Sequence, residues 1–219
     1  MDLLWKPLVH SPTQVDIPQV TLTYEPAALA EWKKANKPWL HSERKDHTVW
    51  GEYAKLAESG RFLLPYDNEP PARRFAELHA ALLLEREGFH CWGGAHLFDY
   101  GAPVVWGKGN SKRNTDEIRS QAPWRWPSEI QNTLNFQPRN PDIVAYSKAR
   151  SEWRFCEVKG PGDRINPDQL KALAVLYLLT GAPVAVLRVV EVAADSAVQM
   201  RSSEIAYRKR AHLDWIRFG

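Results

Sequence analysis

The stretch Asn140-Pro141-Asp142-Ile143-Val144-Ala145-Tyr146, the polar turn Ser147-Lys148-Ala149-Arg150-Ser151 and the run from Glu152 to Lys159 decide how this chain is read. Both flanks are rich in aromatic and β-branched residues, so the whole reads as a β-hairpin. Side chains alternate faces along a strand, which puts Glu157 and Lys159 on one face and Val158 on the other. Asp142, at the mouth of the neighbouring strand, reaches the same spot. Two carboxylates and an amine thus converge at one end of a sheet.

Two carboxylates arriving from adjacent strands suit a hard divalent cation, because Mg²⁺ takes one or two carboxylates together with waters and phosphate oxygens. A lysine beside such ligands can position or help deprotonate an attacking water. The chemistry expected of this constellation is phosphodiester hydrolysis. Downstream, Gly160-Pro161-Gly162-Asp163-Arg164 is followed by Asn166-Pro167-Asp168-Gln169. Asn166 as N-cap, Pro167 in the first helical position and Gln169 two further on predict a helix start with a capping box.

Pro141-Asp142 followed by Glu157-Val158-Lys159 resembles the PD-(D/E)XK nuclease signature. The longer string through Gly160-Pro161-Gly162-Asp163-Arg164, with Gln169 opening a helix, resembles the virus-type replication-repair nuclease (VRR-NUC) family over roughly residues 70 to 190. The chain departs from that family's pattern just after Gln169, where an aromatic residue is usual and Lys171, Ala172 and Leu173 stand here. The resemblance implies an α/β, restriction-endonuclease-like core, a mixed central sheet flanked by helices, and the balanced charges with Trp32, Trp39 and Trp50 predict an N-terminal helical appendage on it. It also implies Mg²⁺ (or Mn²⁺) as cofactor, DNA as partner, and structure-selective cutting of branched, junction or flap DNA. Asp142, Glu157 and the Val158 carbonyl would hold the metal, Lys159 the attacking water, and Gln169 the site geometry or the DNA backbone. Members of the superfamily often add a carboxylate from the first core helix; Glu77 is the match, with Glu85 as the alternative.

With 219 residues the chain has room for one core and an accessory segment. The net charge of +3 permits a nucleic-acid partner without arguing for one, so local patches must carry that case. Residues 1–68 are expected to be accessory: extended to residue 24 with at most a short strand, then helical over 26–36 and 47–59. Residues 69–194 are the expected nuclease domain, with helix 71–87, strands near 89, 141, 152 and 183, and helix 167–180. Pro65 to Pro71 marks the expected boundary.

Residues 97–139 read as an irregular insertion, of the length that usually marks a functional loop. Lys108, Lys112, Arg113, Arg119 and Arg125 are interleaved there with Trp106, Trp124 and Trp126, a pairing suited to phosphates and unstacked bases. These residues, with Arg164, are the candidate DNA contacts. Residues 195–219 read as a basic C-terminal helix.

Cys91 and Cys156 fall in strand-like runs without metal-ligand spacing, and His90 and His96 read as ordinary strand and turn residues. The first residues lack an apolar signal region, which points to the cytoplasm. The apolar run Ala172 to Val190 is broken by Gly181-Ala182-Pro183, so it predicts a buried helix and a buried strand, with no membrane span. That helix is apolar nearly all round; a homodimer would cover it, and the N-terminal helices are the alternative cover. Two other function classes fit the composition, a non-catalytic nucleic-acid-binding module and a hydrolase of a non-nucleic phosphate.

Overall fold

A computed structural model of the chain describes residues 7–11, 14–36, 52–53, 55–56, 59–62, 74–98, 110–124, 127, 134, 136–192 and 204–212. In chain order the elements are β1 (Leu8–Ser11), β2 (Gln14–Tyr24), α1 (Pro26–Asn36), α2 (Phe75–Arg86), β3 (His90–Gly93), α3 (Asn110–Gln121), β4 (Ile143–Ser147), β5 (Glu152–Lys159), α4 (Pro167–Thr180), β6 (Val184–Glu191) and β7 (Glu204–His212). The described strands form one mixed sheet of seven in the order β1-β2-β6-β5-β4-β3, with β7 laid along β2.

The hairpin forms as its sequence predicts, β4 and β5 pairing antiparallel from Ile143↔Cys156 to Ser147↔Glu152. On its other edge β5 runs parallel to β6, from Phe155↔Val184 to Lys159↔Arg188. A parallel pair needs a crossover, and α4 is that crossover. Val184, Ala185, Val186 and Leu187 are fully buried, as expected of a strand covered on both faces.

Alternation sorts β5 between two apolar layers. Cys156 and Val158 join Phe75, Leu78 and Ala81 of α2, together with Trp32 of α1. Trp153 and Phe155 join Leu170, Leu173 and Leu176 of α4. Glu157 and Lys159 therefore fall on the α4 side. The same α4-side cluster takes in Trp124, Leu134 and Phe136, which cover part of α4, while Leu178 on that helix stays exposed. Among the described residues, no helix is long and apolar enough to cross a membrane.

Three expectations need correction. The N-terminal segment is part of the sheet: β2 is an eleven-residue strand lying between β6 and β7, not a short strand in an appendage. Pro18 argues against such a strand, since it cannot donate to a ladder. It is tolerated because one edge of β2 changes partner around it: β1 pairs with residues 14–16 and β6 only from Gln19 onward. Of the predicted N-terminal helices, 26–36 forms and its Trp32 is fully buried 6.1 Å from Tyr53 and 6.1 Å from Phe75, which ties it to the main core. The Pro65–Pro71 boundary and most of 47–59 lie outside the described residues.

Second, the basic C-terminal segment is a strand over Glu204–His212 and not a helix, paired antiparallel with β2 from Gln14↔His212 to Thr21↔Glu204. The open edge of β2 needs backbone partners, and that requirement outweighs helix propensity. Third, the stretch expected to be irregular contains α3, which leans on β3. Its buried face is polar, with Ser111, Asn114 and Thr115 buried beside Ile118, and so carries no apolar periodicity to read. Asn114 Nδ2 donates to the carbonyls of Arg61 (2.8 Å) and Gly93 (2.9 Å), stapling the helix to the end of β3.

If β2 is structural core, Ile17→Ala should destabilise the protein by about 2–5 kcal/mol, the usual range for truncating a buried isoleucine. Urea unfolding should show a lower midpoint at unchanged slope; a midpoint shift within error would return this segment to the periphery.

Candidate active site

The site is built by the way β4 enters the sheet and β5 leaves it. Asn140 Oδ1 accepts from Phe98 N at 3.0 Å, which pins the chain just before Pro141-Asp142. Asp142 Oδ2 then accepts from the backbone N–H of Val158 at 2.8 Å. One step beyond the Ile143↔Cys156 pair, Asp142 lies opposite Glu157, and both point to the α4 side.

Glu157 is 2 % exposed, and two donors hold its Oε1. Lys159 Nζ lies 2.6 Å away, and Gln169 Nε2 makes a short hydrogen bond to the same oxygen. The capping box delivers Gln169. Asn166 Oδ1 accepts from Asp168 N at 2.8 Å, while Gln169 Oε1 accepts from Asn166 N at 2.9 Å. The amide thus accepts at the helix cap with its oxygen and donates to Glu157 with its nitrogen. A glutamate could cap but could not donate.

The Gly-Pro-Gly-Asp string is explained by the turn that ends β5. Asp163 Oδ2 accepts from Gly160 N at 2.9 Å, and Gly162 sits at φ +79°, a conformation that favours glycine. A side chain at Gly160 would crowd Asp163 Oδ2, 3.3 Å from where its Cβ would lie. Arg188 on β6 donates from Nη1 to the Asp163 carbonyl at 2.9 Å. Sequence reading passed over Arg188; the signal it left is a single charge inside the apolar run of β6.

The electrostatics follow from burial. Desolvation pushes the Asp142 carboxyl up to about 8, helped by the nearby charge of Glu157 and by a hydrogen bond between the two carboxyl groups. Desolvation also raises Glu157, against the opposing pull of Lys159. The hydrogen bond between the two carboxyl groups raises Asp142 and lowers Glu157, so the two titrate as a pair. Two buried carboxylates sharing one proton form a hard-oxygen pair from which a divalent cation can displace that proton. Oxygen donors of this kind suit Mg²⁺ or Mn²⁺, and Asp142 and Glu157, with the Val158 carbonyl expected from the sequence, could hold such an ion.

Glu77 sits in the first turn of α2, its Oε1 3.2 Å from Arg74 Nη1, and its charge raises Glu157. Among the described residues no three His, Cys, Asp or Glu side chains group closely enough to hold one ion. Glu85 points elsewhere, 2.5 Å from Arg61 Nη1.

Of the candidate DNA contacts, Arg164 is exposed on the turn after β5. Lys112, Arg113 and Arg119 are exposed on α3. Asn114 anchors that helix to Gly93, and Gly93 pairs with Ile143 beside Asp142. The start of α3 is therefore at the carboxylate end of the sheet. Lys112 is 2.6 Å from Asp116, and Arg113 donates to the Ser59 carbonyl at 3.0 Å. Lys108 and Arg125 lie outside the described residues.

A pH dependence follows with a definite sign. An Asp whose folded value lies above its unfolded one holds its proton more tightly in the folded state. The contribution of Asp142 to the stability of the cation-free protein is thus fully present below the ordinary carboxylate range and is lost as pH rises toward about 8. Asp142→Asn should flatten this loss, leaving the cation-free protein more stable than wild type at the alkaline end. Thermal melts in a chelator across the window check it; parallel curves for the two proteins would contradict the shared proton.

The VRR-NUC domain model matches residues 102–191, a span that begins inside the stretch read as an insertion and ends with β6. Similar solved structures include paFAN1 bound to 2nt 5′ flap DNA with gap, at 16 % identity and TM-score 0.33, covering 87 % of this chain and 40 % of that one. A second is paFAN1 bound to 1nt 5′ flap DNA with gap, at 19 % identity and TM-score 0.30, covering 86 % of this chain and 40 % of that one. Comparison with curated proteins returns no match. The chain thus spans 40 % of the length of these solved relatives. Asp142, Glu157, Lys159 and Gln169 all fall within the residues that match the VRR-NUC domain model.

Proposed function

We propose that this protein is a divalent-metal-dependent DNA nuclease that hydrolyses phosphodiester bonds and selects branched DNA, flaps foremost. The observation that carries the reading is the convergence of Asp142, Glu157 and Lys159, with Glu157 held by Lys159 Nζ at 2.6 Å and by Gln169, inside a VRR-NUC match. The flap preference is taken from the DNA named in the two paFAN1 structures.

Asp142, Glu157 and the Val158 carbonyl would hold Mg²⁺ or Mn²⁺, which when bound supplies a Lewis acid for the phosphoryl oxygens and lowers the pKa of water. Gln169 fixes the Glu157 carboxylate by donating to one oxygen, so the ligand is oriented before the substrate arrives. Lys159 presents a compact ammonium on the same face and orients the attacking water toward phosphorus. Glu77 is a candidate for a second cation, from the opposite layer. Arg164 and the cations of α3 are candidates for the DNA backbone.

A cleavage panel of four-way, 5′-flap, single-stranded and duplex DNA, with Mg²⁺, Mn²⁺ or a chelator, tests the reading. Flap cutting that stops in chelator is expected; DNA binding without cutting under every ion would make the protein a binding module. Within that panel, Glu157→Ala should abolish cleavage while DNA binding persists.

Lys159→Ala should keep Mn²⁺ affinity by calorimetry yet cut roughly 10²- to 10⁴-fold more slowly in single turnover. Lys159→Arg should recover only part of that loss, since a planar guanidinium cannot replace a compact ammonium. If Lys159→Ala lost the ion as fully as Asp142→Ala, the lysine would be structural.

A further inference from the structure

Arg188 interrupts a strand that is otherwise core: Val184, Ala185, Val186, Leu187 and Val189 of β6 are all fully buried. Across the parallel ladder its partner is Lys159. The alternation that sends Val184 and Val186 to the α4 side sends Arg188 there too, onto the face that carries Glu157 and Lys159. Adjacent strands are about 4.8 Å apart, so two cations rise side by side next to the carboxylate pair. Like charges at facing sheet positions destabilise a sheet. Lys159 is matched by Glu157 at 2.6 Å, whereas Arg188 donates from Nη1 at 2.9 Å to an uncharged acceptor, the Asp163 carbonyl, in an exposed hydrogen bond.

That bond orients the guanidinium. Arginine carries five N–H donors in a rigid fork, suited to two oxygens of one phosphate. With Nη1 engaged by Asp163, the fork is turned to a fixed angle at the mouth of the site and has donors left for an anion. The turn it grips also carries the exposed Arg164.

Resting on the nuclease reading above, we infer that Arg188 binds a DNA phosphate neighbouring the one that is cut. It thereby sets where the strand lies over Asp142, Glu157 and Lys159. Arg188 is in this view a substrate-contacting residue of the site, pre-oriented by the Gly160–Arg164 turn, and its contact does not need the metal.

The experiment is an anisotropy titration of 5′-flap DNA in chelator over a range of salt, with melting temperatures of each variant. R188A should bind roughly tenfold more weakly, the effect of losing one charge-assisted hydrogen-bonding group. The slope of log Kd against log salt should shrink by about 0.7 to 0.9, the signature of one phosphate contact. R188K should keep the slope. R188Q retains a donor for the Asp163 carbonyl but no charge. It should melt like wild type and still lose the slope, and it decides the matter if R188A folds poorly.

In cleavage, R188Q should raise KM more than it lowers kcat. A wild-type slope in R188Q would overturn the inference and leave Arg188 as a pin for the turn. If wild type binds and cuts flap DNA while R188Q matches it in affinity and slope, this inference fails and the nuclease reading stands. If wild type neither binds nor cuts DNA, both fail.

Discussion

The structure depends on two carboxyl groups forced together where water is scarce. Asp142 and Glu157 sit opposite each other on neighbouring strands, and Glu157 is 2 % exposed. Ionising both there is unfavourable, and burial accordingly drives both carboxyls toward their protonated forms. The surroundings offset part of that penalty with donors: Val158 N to Asp142, and Lys159 and Gln169 to Glu157. Two hard oxygen donors held this close are also the kind of pair that could take a divalent cation.

Every element near the pair can be seen as maintaining that placement. β5 lies between β4 and β6, with β2 parallel to β6 beyond it, which buries it in the middle of the sheet. Leu170, Leu173 and Leu176 clamp α4 onto the sheet, and the clamp fixes Gln169, the residue before Leu170. The turn at 160–164 stops β5 just after Lys159 through Asp163 and Gly160, and Arg188 ties that turn back to β6. The supporting bonds are therefore local at the cap and turn, and long-range across the sheet. Functional geometry of this kind needs rigid elements beneath it.

Where reading and structure part, the competing force can be named. Pro18 disguised β2 because ladder chemistry excludes proline inside central strands, and only the change of partner from β1 to β6 makes room for it. Residues 204–212 have charges that suit an exposed helix, yet the vacant edge of β2 takes them as β7. Helix α3 stayed hidden because Ser111, Asn114 and Thr115 face inward and bond to backbone, so its buried stripe looks like a solvated one. Arg188 was missed because a lone arginine in an apolar run has no meaning until its ladder partner is known.

What the sequence determined by itself is whatever depends on short spacing. Alternation places Glu157 and Lys159 on one face, β-branched and aromatic runs make the hairpin, and the Asn166-Pro167-Asp168-Gln169 string starts α4 with its box closed. Those interactions span a few residues, so local propensity and pattern suffice to specify them. The tertiary structure decided whatever depends on partners far along the chain. It placed β2 between β6 and β7, sent Gln169 to Glu157, and set Arg188 beside Lys159. No residue carries in its own neighbourhood the identity of the strand it will lie against; open edges, burial and unsatisfied backbone groups of the assembled sheet select that strand.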